Sequence, residues 1–209
     1  MLKNYLKIIN LMLFIAVFTN CTKDPLKGLT NGEARIYITN KDSLADFGTY
    51  NTYNVSDSVT VLDNGQPSKA LTALDQAYID AVNKYMQERG FTQVAKDADP
   101  NLGININRIY STATGVLDNG YWGGYGNYWD PYYWGYSGYG YYVPYSYTAY
   151  SITEGAISID MLDLKNAAIK GKIDLLWTGL IRGQGTFNAS NADGSVKALF
   201  DQSTYLQTN

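Results

Sequence analysis

Residues 155–163 read Gly155-Ala156-Ile157-Ser158-Ile159-Asp160-Met161-Leu162-Asp163, and residues 173–183 read Ile173-Asp174-Leu175-Leu176-Trp177-Thr178-Gly179-Leu180-Ile181-Arg182-Gly183. Ile157, Ile159 and Met161 alternate with Ser158 and Asp160, the period-two pattern of a strand with one apolar side. Together the two stretches predict a β-hairpin with arms 151–163 and 173–183 and a loop over 163–171. On this reading Asp160 faces solvent, and Asp163 opens the loop by accepting backbone N–H bonds. Being three apart on a strand, the two carboxylates point to opposite faces.

Upstream, Leu102-Gly103-Ile104-Asn105-Ile106-Asn107-Arg108-Ile109 alternates in the same way and predicts another strand. Residues 34–39, with Ile36 and Ile38 on one side, predict a strand; residues 46–55 predict a second strand or its approach. Asp63-Asn64-Gly65 reads as a turn. Residues 68–89 carry Leu71, Leu74, Tyr78, Ala81, Val82 and Tyr85 at three- and four-residue spacing, a helix with a core-facing stripe. Ser68 is the expected N-cap, Gly90 the expected residue past the end, and Phe91 is expected to fold back on the last turn. A short helix is expected over 195–201. The sum is one α+β domain over 34–209, a mainly antiparallel sheet with one long and one short helix packed on one face.

The 209 residues are 45% hydrophobic and 17% charged, with a formal net charge of -3. That is too apolar for a disordered chain, and without a basic stripe there is no footprint for DNA or RNA. The sequence contains no histidine and one cysteine. Ser-His-Asp and Cys-His sites in their usual form are therefore excluded, as are zinc sites built from His and Cys. No intramolecular disulfide can form. No P-loop, dinucleotide fingerprint or G-x-S-x-G is present, so no cofactor is implied.

Residues 1–20 have the parts of a secretory signal: Lys3 and Lys7, then an apolar stretch over 8–18 interrupted only by Asn10, then Cys21. The apolar run is shorter than the roughly 20 residues of a membrane-spanning helix. A cysteine directly after such a core resembles the bacterial lipobox, with Asn20 where Gly, Ala or Ser is usual. The resemblance implies that Cys21 becomes the first residue and carries two or three fatty chains such as palmitate, enough for stable anchoring. Residues 21–33 then form a polar tether. Thr22 resembles the residue found in lipoproteins sent to the outer membrane, so the expected location is that membrane, on its periplasmic face or at the cell surface. The Lys/Asn/Tyr-rich composition fits a Bacteroidetes origin.

Residues 121–150 hold most of the 20 tyrosines and Trp122, Trp129 and Trp134, three of the four tryptophans, with glycine between them. Tyr and Trp offer large flat contact areas with few rotors. Three readings stand side by side. The segment packs its rings over its own sheet; or it is a recognition surface for an envelope glycan or protein partner, centred on Trp122, Tyr125, Trp129, Tyr133 and Trp134; or it meets the membrane interface or another copy of itself.

The order of phrases resembles a known family. Asp46-Phe47-Gly48-Thr49-Tyr50-Asn51-Thr52-Tyr53, the helix ending at Gly90-Phe91, Ala98-Asp99-Pro100-Asn101-Leu102, the phrase at 155–163 and Leu176-Trp177-Thr178-Gly179-Leu180-Ile181-Arg182-Gly183 follow one another as in the bacterial lipoproteins classed as domain of unknown function 4136. The likeness runs over about residues 34–202 and implies location and fold, with no catalytic residues to carry over. The tail Tyr205-Leu206-Gln207-Thr208-Asn209 departs from it by lacking a proline. Asp97, Asp99, Asp118 and Asp130 are acidic but lack the spacing of a calcium loop, so no metal site is expected. The expected role is a non-catalytic binding or structural module held to a membrane through Cys21. The competing role is a carboxylate-dependent glycan hydrolase with the aromatic segment as its sugar platform.

Overall fold

In chain order the fold runs β1 (Arg35–Lys41), a 3-10 turn at Phe47–Thr49, β2 (Thr52–Val55), β3 (Val59–Asp63), β4 (Gln66–Ala70), α1 (Ala73–Glu88), β5 (Thr92–Gln93) and β6 (Leu102–Ile109). It continues with β7 (Gly140–Tyr142), β8 (Ala156–Asp163), α2 (Ala167–Lys170), β9 (Lys172–Gly183), a second 3-10 turn at Ala189–Asn191 and α3 (Ala192–Gln202). These elements come from a computed structural model that describes residues 35–63, 66–110, 131–142 and 155–208, all within the unit Asn31–Asn209. Cys21, the leader, the tether, Trp122, Tyr125 and Trp129 lie outside the described residues.

The expected hairpin forms: β8 pairs antiparallel with β9, with Asp160 opposite Thr178. β6 pairs antiparallel with β8, and β1 antiparallel with β9. The expectation of a mainly antiparallel sheet with two helices is overturned. The nine-stranded sheet is mixed, because β2 pairs parallel with both β5 and β6, β3 parallel with β6, and β7 parallel with β9. For the pairings among β2, β3, β5 and β6 the cause is the helix. α1 carries the chain back to the end where β2 began, so β5 and β6 run in the same direction as β2, the geometry that only a crossover connection permits. A third helix, α2, occupies the hairpin loop.

The long helix also starts later than its apolar pattern implies. Ser68 belongs to β4, opposite Val61, and Leu71 is exposed. Thr72 caps α1 in a reciprocal box: its hydroxyl accepts the Asp75 N–H, and its own N–H donates to Asp75 Oδ2 at 2.8 Å. The other end matches the reading. Phe91 N–H donates to Met86 O and Gly90 N–H to Gln87 O, with Gly90 at φ +88°, a glycine-terminated Schellman arrangement.

Both faces of the sheet are covered. On one, Ile104, Ile106, Ile157, Ile159, Met161 and Trp177 pack with Tyr78, Val82 and Met86 of α1 and Val196, Leu199 and Phe200 of α3. The β8–β9 register shifts after Met161, leaving Leu176 as an extra residue. This bulge puts both Leu176 and Trp177 into the helix-side core. Trp177 is fully buried, and its indole N–H donates to Ser203 Oγ at 3.0 Å. On the opposite face, Leu62, Ile109, Ala156, Leu162, Leu164, Ile173, Leu175 and Leu180 gather around Trp134.

Candidate functional site

Alternation that reads as apolar-in, polar-out gives something else once the second face is covered. Asn105 of β6, Asp160 of β8, Thr178 of β9 and Asn40 of β1 lie in register across four strands. They form a polar row on the face that carries Trp134. Asp160 is fully buried, not on the solvent face as expected from sequence. Its Oδ1 accepts the Thr178 hydroxyl at 2.7 Å, and its Oδ2 accepts Asn107 Nδ2 at 2.6 Å and the Ser158 hydroxyl at 3.1 Å. Burial pushes its pKa up to about 8, against the three hydrogen bonds, which act to lower it. Both carboxyl oxygens are engaged inside the protein.

Asp163 does open the loop as expected: its Oδ1 accepts the Asn166 N–H at 3.0 Å. It also joins a cluster invisible in the linear sequence. Lys170 Nζ lies 2.9 Å from Asp163 and 2.6 Å from Asp174, while Lys172 Nζ lies 3.0 Å from Asp174. Asp163 and Asp174 are cross-strand partners, and both carboxylates are buried. Burial disfavours the Lys170 ammonium, but its bonds to Asp174 and Asp163 outweigh that and hold its pKa above the ordinary lysine range. Burial, with the Asp163 charge next, raises the Tyr50 phenol well above the usual tyrosine range.

Asp160 and Asp163 thus belong to separate networks and do not share a cleft. A second pair escapes sequence reasoning as well. Asp75, which lies off the apolar stripe of α1, is 1% exposed and lies 3.4 Å from Arg108 Nε. The signal that would have found it is the T-x-x-D capping pattern at the true helix start.

Of the sequence-predicted aromatic surface, Tyr133 and Trp134 fall on described residues. Trp134 is 8% exposed and packs on the sheet beside Leu164 and Gly103. A Cβ at Gly103 would stand 3.0 Å from the Trp134 ring, so this glycine is what admits the indole. Tyr133 meets Trp134 edge-on at 4.8 Å, and its phenol oxygen accepts the Asp57 N–H at 3.0 Å. The Tyr136 hydroxyl donates to Leu164 O at 2.9 Å. These rings fasten the segment to its own sheet. Tyr132 is exposed.

Asp97 and Asp99 are exposed, and Asp118 and Asp130 lie outside the described residues. Among the described residues no three acidic, His or Cys side chains are grouped to hold a metal ion, and no helix is long and apolar enough to cross a membrane. A shallow recess of about 260 Å³ is lined by Ala45, Asp46, Phe47, Gly48, Tyr205 and Gln207. It is smaller than the usual ligand cleft, and its one carboxylate, Asp46, caps the adjoining 3-10 turn.

Residues 38–203 match the family described as domain of unknown function (DUF4136), and this chain belongs to that family. It is similar to a DUF4136 family protein from Bacteroides thetaiotaomicron known from a crystal structure, with a TM-score of 0.73 and 28% identity over 84% of this chain and 99% of that one. A PelC dodecamer from Paraburkholderia phytofirmans is a more distant likeness, at TM-score 0.42 and 8% identity, covering 84% of this chain and 99% of that chain. No curated protein matches this chain in sequence.

Proposed function

We propose that this chain is a lipid-held module of the outer membrane, non-catalytic, that presents its aromatic segment to an envelope glycan or protein partner. The observation that carries the reading is the anchoring of Tyr133, Trp134 and Tyr136 to the sheet, which holds the described middle of the segment against a rigid base. Rigid support lowers the ordering cost of binding. The leader and Cys21 in the sequence support the anchor. The glycan hydrolase loses its motive. Such an enzyme needs two carboxylates facing one cleft, whereas Asp160 is enclosed with both oxygens hydrogen-bonded to neighbouring side chains and Asp163 is held by Lys170.

Growth with labelled palmitate tests the anchor. The native chain takes up label and fractionates with membranes, while Cys21→Ser yields an unlabelled chain that leaves the membrane fraction. An unlabelled native protein, or one retaining Met1, overturns the assignment. For the binding role, Trp122→Ala with Trp129→Ala abolishes retention on envelope polymers or partners in a folded protein. Unchanged retention removes the aromatic segment from the function.

A further inference from the structure

One place on the surface combines fixed aromatic structure with positive charge that has no ion pair among the described residues. Lys69 of β4 and Lys96, from the connection between β5 and β6, approach the same ring: their ammoniums lie 5.3 and 4.2 Å from the centroid of Tyr133. The two charges are therefore no more than about 10 Å apart. Both lysines are exposed, and neither takes part in any ion pair among the described residues. Lys84, Lys170, Lys172 and Lys197, by contrast, each meet an aspartate within 3.0 Å. In a chain of net charge -3, two cations without an ion pair among the described residues, brought together from distant segments, stand out.

The ring they share does not move freely. Its hydroxyl oxygen is held by the Asp57 N–H, and its edge rests on the buried Trp134. The lysines are thus positioned around a preorganised platform, with the exposed Tyr132 next in the chain. Asp57 sits at the phenol end of Tyr133, so the open electrostatic position is beside the ring and not at its hydroxyl.

We infer that Lys69, Lys96 and Tyr133 form a subsite for the carboxylates of an acidic polysaccharide, the charge held by the two ammoniums that the Tyr133 ring positions and the sugar set against the exposed Tyr132 beside it. Ammonium groups pair with carboxylates as point charges, and aromatic rings offer flat apolar area for a sugar face. The inference rests on the glycan-binding reading above and narrows it to anionic glycans.

Affinity electrophoresis of the full chain through gels containing polygalacturonate or neutral dextran tests it, at low ionic strength where screening is weak. Polygalacturonate retards the native chain and dextran does not. Lys69→Ala with Lys96→Ala weakens retention about fivefold or more. Lys69→Arg with Lys96→Arg, and the control Lys84→Ala with Lys197→Ala, stay within about twofold of native. Equal loss in the control means bulk charge and overturns the subsite. Retention by both polymers, insensitive to the lysines, overturns the acidic preference and leaves the glycan reading standing. Retention by neither overturns both. Retention that requires phosphatidylglycerol micelles and is absent with polygalacturonate assigns the lysines to a membrane surface and overturns the proposal.

Discussion

Asp160 and Thr178 face each other across the β8–β9 ladder, and the Thr178 hydroxyl donates to Asp160 Oδ1 at 2.7 Å in a site fully closed to solvent. The carboxyl there titrates near 8 because burial penalises its charged form. Unfolded, the same group ionises near the ordinary aspartate value, so between about pH 4 and pH 8 the unfolded chain releases a proton that the folded chain keeps. Stability from this group is complete at low pH and declines until the folded group ionises. The loss is on the order of a few kcal/mol. Asp160→Asn keeps the shape and removes the charge, its amide donating to Thr178 Oγ1. Urea midpoints at pH 5 and pH 8.5 are expected to differ less in the variant than in the native protein. An equal or larger pH dependence in the variant contradicts the buried-acid account.

Lys170 joins two buried carboxylates at the hairpin end. Removing one partner of such a cluster leaves charge without compensation. The ammonium is partly exposed, so water softens the effect: Lys170→Ala is expected to cost about 1–2 kcal/mol. Adding Asp174→Asn should recover part of the loss. Thermal melting of the single and double variants measures both, and additive losses would mean that the residues do not interact.

Gly103 admits the Trp134 indole to the sheet, and added bulk there meets both that ring and Leu164 Cδ1 at 2.9 Å. Gly103→Val is expected to destabilise by about 1–3 kcal/mol through overpacking. It should also speed proteolysis within residues 121–150, while the far-ultraviolet dichroism of the helices is preserved. Cleavage at the native rate would show that the segment does not depend on the Trp134 contact.

The start of α1 provides a paired test. Thr72→Ala removes the cap and is expected to cost about 1 kcal/mol. Ser68→Ala, in β4, changes stability by less than about 0.5 kcal/mol. Chemical denaturation of the two variants distinguishes the observed helix start from the one suggested by hydrophobic spacing. The reverse order would restore Ser68 as the cap.

Much of this fold was legible because neighbouring residues carry it. The strand at 102–109, the hairpin arms and the glycine end of α1 rest on alternation and on a turn that needs positive φ at Gly90. β3, β4 and the late helix start were missed, because the apolar spacing of α1 continues backwards through Leu71 and residues of β4. Of the aromatic surface expected from the sequence, Tyr133 and Trp134 fasten the segment to the sheet, a role that composition does not distinguish from recognition.

The local pattern by itself determined which segments extend, which coil and where several of them stop, since those preferences depend on side chains two to four positions apart. It also placed the chain in its family. Only the tertiary structure decided strand direction, because that follows from where α1 delivers the chain. Only it decided the state of Asp160, because a polar residue on an alternating strand meets water or a second layer according to what covers the sheet. Here Trp134 and its neighbours close that second face, and a pattern that signals a solvent side becomes a buried polar row.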